Sequence, residues 1–196
     1  MRKANAIAGL GLALGAAMPL AANAQAQSVG AYAGAGAGQS EAWAYNCDPL
    51  PQCKKKGTAY KFFGGWQFHR NFALEAGYTD LGQVSSSNPG TFDQTVKLKL
   101  SEATLVGLIH GSDRASLFGK IGAYYGRTTA TTTQSGTTTV VKKSNGNATI
   151  AGGVQFFVTR NIGIRAEGQR YLKVGGGNLG DSDYTAYTAS VLWKFD

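Results

Sequence analysis

The sequence predicts an all-β protein, an eight-stranded antiparallel up-and-down transmembrane β-barrel with short periplasmic turns and long extracellular loops. Three observations predict this fold. The chain opens with an export-type signal, the remainder alternates apolar and polar residues with a period of two, and the final strand carries apolar and aromatic side chains on one face. Only 15% of the residues are charged and 28 are glycine, a composition that favours strands and turns over helices.

The first 24 residues are predicted to be a signal peptide. A short basic region precedes an apolar stretch over residues 6–20. The small-x-small pattern predicts cleavage after Ala24 or Ala26, so the barrel domain is expected to span residues 27–196. A membrane anchor is the alternative, but the apolar stretch is shorter than the roughly 20 residues that a spanning helix needs.

Strands follow one another at regular intervals through the rest of the chain. In the second of them Tyr60, Phe62, Trp66 and Phe68 share one face while Lys61 lies on the other. This alternation is typical of a strand with one apolar face, and no helical period competes with it. The eight predicted strands run over about 29–38, 60–68, 72–81, 96–109, 116–126, 149–158, 162–171 and 187–195.

The connections alternate between long and short. Short turns are predicted at residues 70–71, 111–114 and 159–161, and long polar loops at about 39–58, 83–94, 127–147 and 174–183. The Thr-rich third loop could let its flanking strands extend outward. Within strand 96–109 the apolar face switches after Leu100, which predicts either a bulge or a strand that projects above the bilayer.

The polar face of the strands indicates which side meets lipid. Glu75, Lys120, Arg165 and Glu167 share this face and are predicted to form an ion-pair network in the lumen. A water-soluble barrel would place these charges outside and fill its core with the aromatic rows. The large rings of the closing strand would be difficult to pack into so small a core. The apolar face is therefore expected to meet hydrocarbon, with aromatic side chains at the membrane interfaces. These predicted interface residues are Trp66, Phe68, Tyr78, Trp193 and Phe195.

Several segments resemble one family of membrane proteins. Residues 64–82, with the sequence GGWQFHRNFALEAGYTDLG, residues 116–124, residues 152–157 and residues 161–167 are similar to the OmpA-like transmembrane β-barrel family. The resemblance covers essentially the whole predicted mature chain. It implies an eight-stranded barrel in the bacterial outer membrane, inserted by the barrel assembly machinery and surrounded by lipid and lipopolysaccharide.

The resemblance also carries expectations about the interior and the ends. Members of the family form interior ion pairs that block or gate a narrow passage, and Glu75 and Arg165 match such positions. Two other charges of that network are replaced at about Val106 and Gln155. The periplasmic peptidoglycan-binding domain of many members is expected to be absent. The family usually ends in Phe, whereas Phe195 is penultimate here.

The net charge indicates a class of partner, and the two cysteines predict a disulfide. The formal net charge of +8 becomes +6 without Arg2 and Lys3 of the predicted signal peptide. For an exported protein this excess predicts anionic lipid headgroups or a surface polyanion as partners rather than nucleic acid. Cys47 and Cys53 flank a loop with two prolines and are predicted to form a disulfide.

Little in the sequence indicates catalysis, and no cofactor or metal site is predicted. His110 and Ser112 form a His-x-Ser pair similar to that of outer-membrane lipid A deacylases, but the acidic candidate, Asp113, lies in a predicted periplasmic turn. The glycine-rich run 175–180 matches G-x-G-x-x-G without the strand–helix unit that binds phosphate.

Three functions are therefore carried forward. The first is a non-enzymatic outer-membrane protein that supports envelope integrity and presents surface loops for adhesion or ligand interaction. The second is a small, low-conductance pore, although eight strands leave an interior just filled by side chains. The third is a lipid A-modifying hydrolase.

Overall fold

The computed structural model describes residues 29–42, 52–54, 56–88, 92–134, 137–175 and 181–195. The predicted signal peptide and Cys47 lie outside this part of the chain, so the cleavage site and the disulfide remain predictions. None of the described residues forms a helix long and apolar enough to cross a membrane. The nine described strands are β1 Gly30–Ala42, β2 Gln52–Lys54, β3 Lys56–His69, β4 Phe72–Asn88, β5 Phe92–His110, β6 Ala115–Gln134, β7 Thr137–Phe157, β8 Ile162–Gly175 and β9 Asp181–Lys194.

Eight of these strands close into a ring, which confirms the predicted barrel. Each long strand pairs antiparallel with its neighbours in the order β1, β3, β4, β5, β6, β7, β8, β9, and β9 pairs back with β1. Closure leaves no free edge around the barrel wall, as the hydrocarbon of a membrane requires. The short strand β2 stands outside the ring and pairs with β4 through residues 85–87.

The barrel has the orientation that the alternation predicted. Leu74 and Ile164 are more than half exposed on the outer wall, whereas Glu75 and Arg165 are 3% exposed inside. A soluble barrel would show the reverse. Among the described residues, clusters of buried apolar side chains lie in the lumen on both sides of these charges.

Two explanations were predicted for the switch of the apolar face in strand 96–109; the bulge is wrong, and the strand that projects outward agrees with the structure. Strand β5 keeps a continuous register with β6 from Phe92 to His110, so it contains no bulge. Leu98 and Leu100 face inward and are buried in the extracellular apolar cluster, which explains why their face seemed to switch. The irregularity lies in β4 instead, at Gly82, whose φ of 73° is left-handed and whose added Cβ would meet the Thr58 carbonyl oxygen at 2.5 Å.

The predicted loop over residues 83–94 is mostly strand, which corrects the second long loop. Strand β4 continues to Asn88 and β5 begins at Phe92, with residues 83–88 paired to 92–97. The third predicted loop is likewise a paired hairpin, since β6 and β7 stay in register up to the pair Gln134–Thr137. Strands β4 to β7 thus continue as a projecting sheet, by which we mean residues 83–88, 92–97, 129–134 and 137–142.

Candidate functional site

The strands bring six charged side chains together in one layer inside the barrel. They come from β3, β4, β5, β6 and β8, and none is more than 6% exposed. Three are basic and three acidic, so the layer is neutral as a whole. Its members are Lys61, Glu75, Glu102, Lys120, Arg165 and Glu167, and we refer to them as the charged layer.

Glu75 is the centre of its periplasmic half. One carboxylate oxygen accepts a hydrogen bond from Arg165 Nη1 at 2.7 Å and another from the Tyr32 hydroxyl at 3.0 Å. Its other oxygen binds the Lys120 ammonium. Burying a carboxylate is favourable only when such partners replace water, and Glu75 has three of them.

Glu167 links this half to the extracellular half. Its carboxylate lies 2.5 Å from Lys120 Nζ and 2.5 Å from Lys61 Nζ. Lys61 in turn lies 2.8 Å from Glu102 Oε1. The six charges therefore form one unbroken chain in which acids and bases alternate, from Glu102 to Arg165.

Neutral side chains satisfy much of the remaining polar surface of the charged layer. Gln169 Nε2 and the Tyr171 hydroxyl donate to Glu102 Oε2 at 2.7 and 2.8 Å. Gln155 Oε1 accepts from Arg165 Nη2 at 3.0 Å. The Arg165 guanidinium also lies 4.7 Å from the Phe63 ring centroid, a cation–π distance that compensates for its unpaired Nε.

Apolar clusters cover the charged layer at both ends. Towards the short turns lies a cluster that includes Phe63, Val106, Phe118 and Leu192. Towards the projecting sheet lies a second that includes Leu98, Leu100, Tyr124, Tyr171 and Tyr184. A small cavity between the first of these clusters and Arg165 holds about 10 Å³, the volume of a single water position.

Sequence reasoning found four of the six charges and missed two. Lys61 was assigned inward but not to the network, and Glu102 was missed because the parity of β5 was ambiguous. Of the two positions where the resemblance predicted a replaced charge, Val106 is fully buried in the apolar cluster towards the short turns, and Gln155 accepts a hydrogen bond from Arg165.

The aromatic side chains predicted for the interfaces all lie on the outer wall. Trp66, Phe68, Trp193 and Phe195 are about half exposed and lie towards the short turns. Tyr78 is 40% exposed and lies nearer the projecting sheet. It belongs to an upper ring of outward tyrosines, Tyr60, Tyr78, Tyr125 and Tyr187.

The His-x-Ser pair does not form a catalytic arrangement. His110 Nε2 donates to the Arg70 carbonyl oxygen at 2.7 Å, and its Nδ1 lies 2.8 Å from the Ser116 hydroxyl rather than from Ser112. The Ser112 hydroxyl accepts the backbone N–H of Ala115 within its own turn. Among the described residues, no group of three His, Cys, Asp or Glu side chains is placed to hold a metal ion.

Comparison with known proteins agrees with this geometry. The sequence profile of the OmpA-like transmembrane domain matches residues 26–196. The chain belongs to this family. It is accordingly a bacterial outer-membrane protein, and the charged layer lies within the membrane-spanning part of an OmpA-like barrel. No curated protein sequence matches the chain.

Solved structures share the barrel at low sequence identity. The attachment invasion locus protein Ail of Yersinia pestis, in complex with the heparin analogue sucrose octasulfate, is 16% identical with a TM-score of 0.59, covering 85% of this chain and 99% of Ail. Neisserial surface protein A is 18% identical with a TM-score of 0.61, covering 84% and 97%. OprG, an outer-membrane protein of Pseudomonas aeruginosa, is 10% identical with a TM-score of 0.52, covering 87% and 99%. At these identities the likeness concerns the fold.

Proposed function

We propose that this OmpA-like barrel is a non-enzymatic, non-conducting protein that supports the envelope and presents its projecting sheet for attachment to extracellular ligands. The projecting sheet is the observation that carries the proposal. A pore or a buried active site would need open space in the lumen, whereas an attachment protein needs a stable surface outside the membrane.

The sheet has the properties of a presentation surface. Its β6–β7 hairpin is paired to the last described residues, so the surface is held by backbone hydrogen bonds. Nearly every side chain over residues 129–134 and 137–142 is exposed or half-exposed, and most carry hydroxyl groups. From residue 137 to residue 148 no described residue pairs with the outer edge of β7, because the β7–β8 ladder begins at Thr149.

A polyanionic glycan is the ligand class that we favour. The chain carries excess positive charge, and Lys142 is exposed on the projecting sheet. Ail, which shares the barrel, binds a sulfated heparin analogue. Sulfate groups are recognised by exposed basic side chains and by hydroxyl donors, and the sheet offers both.

The test shortens the β6–β7 hairpin. Residues 130–141 are replaced by Asn-Gly, which favours a tight hairpin turn and joins the paired residues Thr129 and Lys142. We expect cells or liposomes carrying this variant to lose most of their binding to immobilised heparin while keeping the heat-modifiable gel mobility of a folded barrel. A control with substitutions Thr131→Ser and Thr138→Ser should bind like the parent. Undiminished heparin binding by the shortened barrel would refute attachment through this hairpin.

The two alternative functions have weaker support. The charged layer and its apolar covers leave no described passage for a pore. A hydrolase would need Ser112 to be activated, yet its hydroxyl is engaged by its own turn. Unaltered lipid A acylation in a Ser112→Ala strain is therefore expected. The barrel assembly machinery and the Cys47–Cys53 disulfide remain an expected partner and an expected bond.

A further inference from the structure

Three basic side chains cluster on the outer wall above the upper tyrosines, at the base of the projecting sheet. Lys97 and Lys99 lie on β5 and Arg127 lies on the adjacent strand β6. All three are exposed, and they point away from the lumen because the neighbouring residues Leu98, Leu100 and Thr128 are buried. We call these three residues the cationic patch.

The strand register brings the three charges close together. Lys99 is directly opposite Arg127 in the β5–β6 ladder, and Lys97 lies two residues farther along the same face. Directly opposite residues have Cβ atoms about 5 Å apart, and alternate residues on one face are about 7 Å apart. The three long side chains can therefore reach a single anionic group.

The patch is unfavourable in the protein alone. Like charges directly opposite each other destabilise a strand pair. Asp80 is the one acidic residue among the directly paired neighbours, and it lies 4.0 Å from Lys99 at the exposed surface. Among the described residues, no carboxylate forms an ion pair with Lys97 or Arg127. The other directly paired neighbours are Gln83, Thr129 and Ser144, whose amide and hydroxyl groups can donate to an anion.

The position of the patch indicates where the anion resides. Arg127 lies two residues, or about 7 Å, beyond Tyr125 of the upper ring of tyrosines along strand β6. Interfacial tyrosines mark the headgroup level of a bilayer, so the patch lies in the polar layer just outside the hydrocarbon. In the outer leaflet of a bacterial outer membrane, that layer contains the phosphate groups of lipopolysaccharide.

We propose that Lys97, Lys99 and Arg127 form a binding site for a phosphate group of lipopolysaccharide. The site fixes a headgroup against the β5–β6 wall and neutralises the repulsion between Lys99 and Arg127. This inference goes beyond the proposed attachment function, because it concerns the protein's own membrane and does not need the tip of the projecting sheet.

The test compares two variants, each of which lacks three positive charges, at opposite ends of the barrel. The patch variant carries Lys97→Gln, Lys99→Gln and Arg127→Gln. The matched control carries Arg70→Gln, Arg114→Gln and Arg160→Gln, three changes in the short turns at the opposite end. Each refolded barrel in neutral-lipid nanodiscs is titrated with lipopolysaccharide at several salt concentrations, after heat-modifiable mobility confirms its fold.

We expect the patch variant to bind lipopolysaccharide about 10- to 100-fold more weakly, with a shallower salt dependence, because each basic side chain near a charged membrane surface contributes about fivefold and the three contributions do not add fully. The control variant should stay within about twofold of the parent. The single variant Arg127→Gln, which changes only one side chain of the outer wall, should bind lipopolysaccharide about fivefold more weakly than the parent. Equal binding by patch variant and parent, or an equal loss in the control, would overturn the site.

Further arms separate the sources of the anion. The parent should bind dephosphorylated lipopolysaccharide as weakly as the patch variant binds the native form, and equally tight binding of the dephosphorylated form by the parent would refute phosphate recognition. If the patch variant loses heparin binding but keeps lipopolysaccharide binding, the patch serves a soluble polyanion and the proposal fails. The shortened hairpin variant retains all three residues and should bind lipopolysaccharide normally, whatever its heparin binding.

Discussion

Buried charges in this barrel are stable because each has several partners. Glu75 illustrates the principle, since its two oxygens meet Arg165, Lys120 and Tyr32 in a site from which water is excluded. Such a carboxylate contributes to stability less through any single contact than by supplying the counter-charge that its buried basic partners need. Removing one carboxylate leaves the neutral layer with an extra buried positive charge.

The substitution Glu75→Gln should therefore lower the free energy of unfolding by roughly 3–5 kcal/mol. The measurement is urea unfolding in detergent micelles, followed by tryptophan fluorescence. Asp113→Asn, in an exposed turn, is the matched control and should change stability by less than about 0.5 kcal/mol. The double variant Glu75→Gln with Lys120→Met restores charge balance and should recover part of the loss. Equal stability of Glu75→Gln and the parent would contradict the role of the charged layer.

At the scale of elements, the β8–β9 hairpin shows how side chains hold strands beyond the membrane. Asp183, four residues outward of Tyr187 on β9, accepts hydrogen bonds from the Lys173 N–H at 2.9 Å and from the Arg170 guanidinium at 2.7 Å. Lys173 has a left-handed φ of 50° at a register shift between the two strands. Its carbonyl oxygen accepts from Asn145 Nδ2, which ties the hairpin to β7.

These contacts make the hairpin sensitive to acid. The Lys173 N–H, followed by the Arg170 guanidinium, lowers the pKa of Asp183 below its ordinary value. Because the folded pKa is lowered, the stabilisation is complete above the ordinary carboxyl pKa of about 3.9 and disappears as the pH falls through the lowered pKa. Carboxyl ¹³C NMR titration should give a midpoint below about 3.9 for the parent.

The matched variant Arg170→Gln should raise the Asp183 midpoint without restoring the ordinary value, because the Lys173 N–H bond remains. A parent midpoint at or above the ordinary value, or no change in Arg170→Gln, would show that these contacts do not form in solution.

At the scale of the whole molecule, the barrel is sealed by three layers. The charged layer occupies the middle of the lumen, and one apolar cluster lies on each side of it. An ion entering from either end would have to leave water and pass an apolar cluster before reaching the charged layer, which is costly.

The parent protein should therefore show no resolved conductance steps in planar lipid bilayers at neutral pH. Glu75→Gln should remain closed as well, since the apolar clusters are intact. A 16-stranded porin, whose lumen is wide enough for water, is the positive control in the same bilayers. Reproducible steps from the parent would favour the small-pore function and refute the closed barrel.

The sequence predicted the orientation of some side chains and not of others. The alternation that sets Leu74 outward and Glu75 inward was readable because one apolar face over several residues outweighs every other signal in a strand. Glu102 was not readable, since Leu98 and Leu100 place apolar side chains on the same inward face. The lumen is apolar at its ends and charged in its middle. A period of two shows which residues face inward, but it does not show which of them lie in the charged layer.

Loop boundaries escaped prediction for a related reason. Most of residues 83–94 are polar, and runs with Ser, Asn and Pro are typical of turns. Residues 83–88 and 92–97 form strands because the paired barrel strands beneath them continue their ladders upward. Tertiary pairing overrode local propensity there, as it does where context supplies the hydrogen bonds.

The sequence by itself determined the closed eight-stranded barrel and which side of its wall meets lipid, because a period of two assigns whole strands to one side or the other. Only the tertiary structure decided which charges are partners, how far the strands continue outside the membrane, and that Lys97, Lys99 and Arg127 share one surface. These properties depend on the register between strands, which closure of the ring fixes and which no single strand encodes.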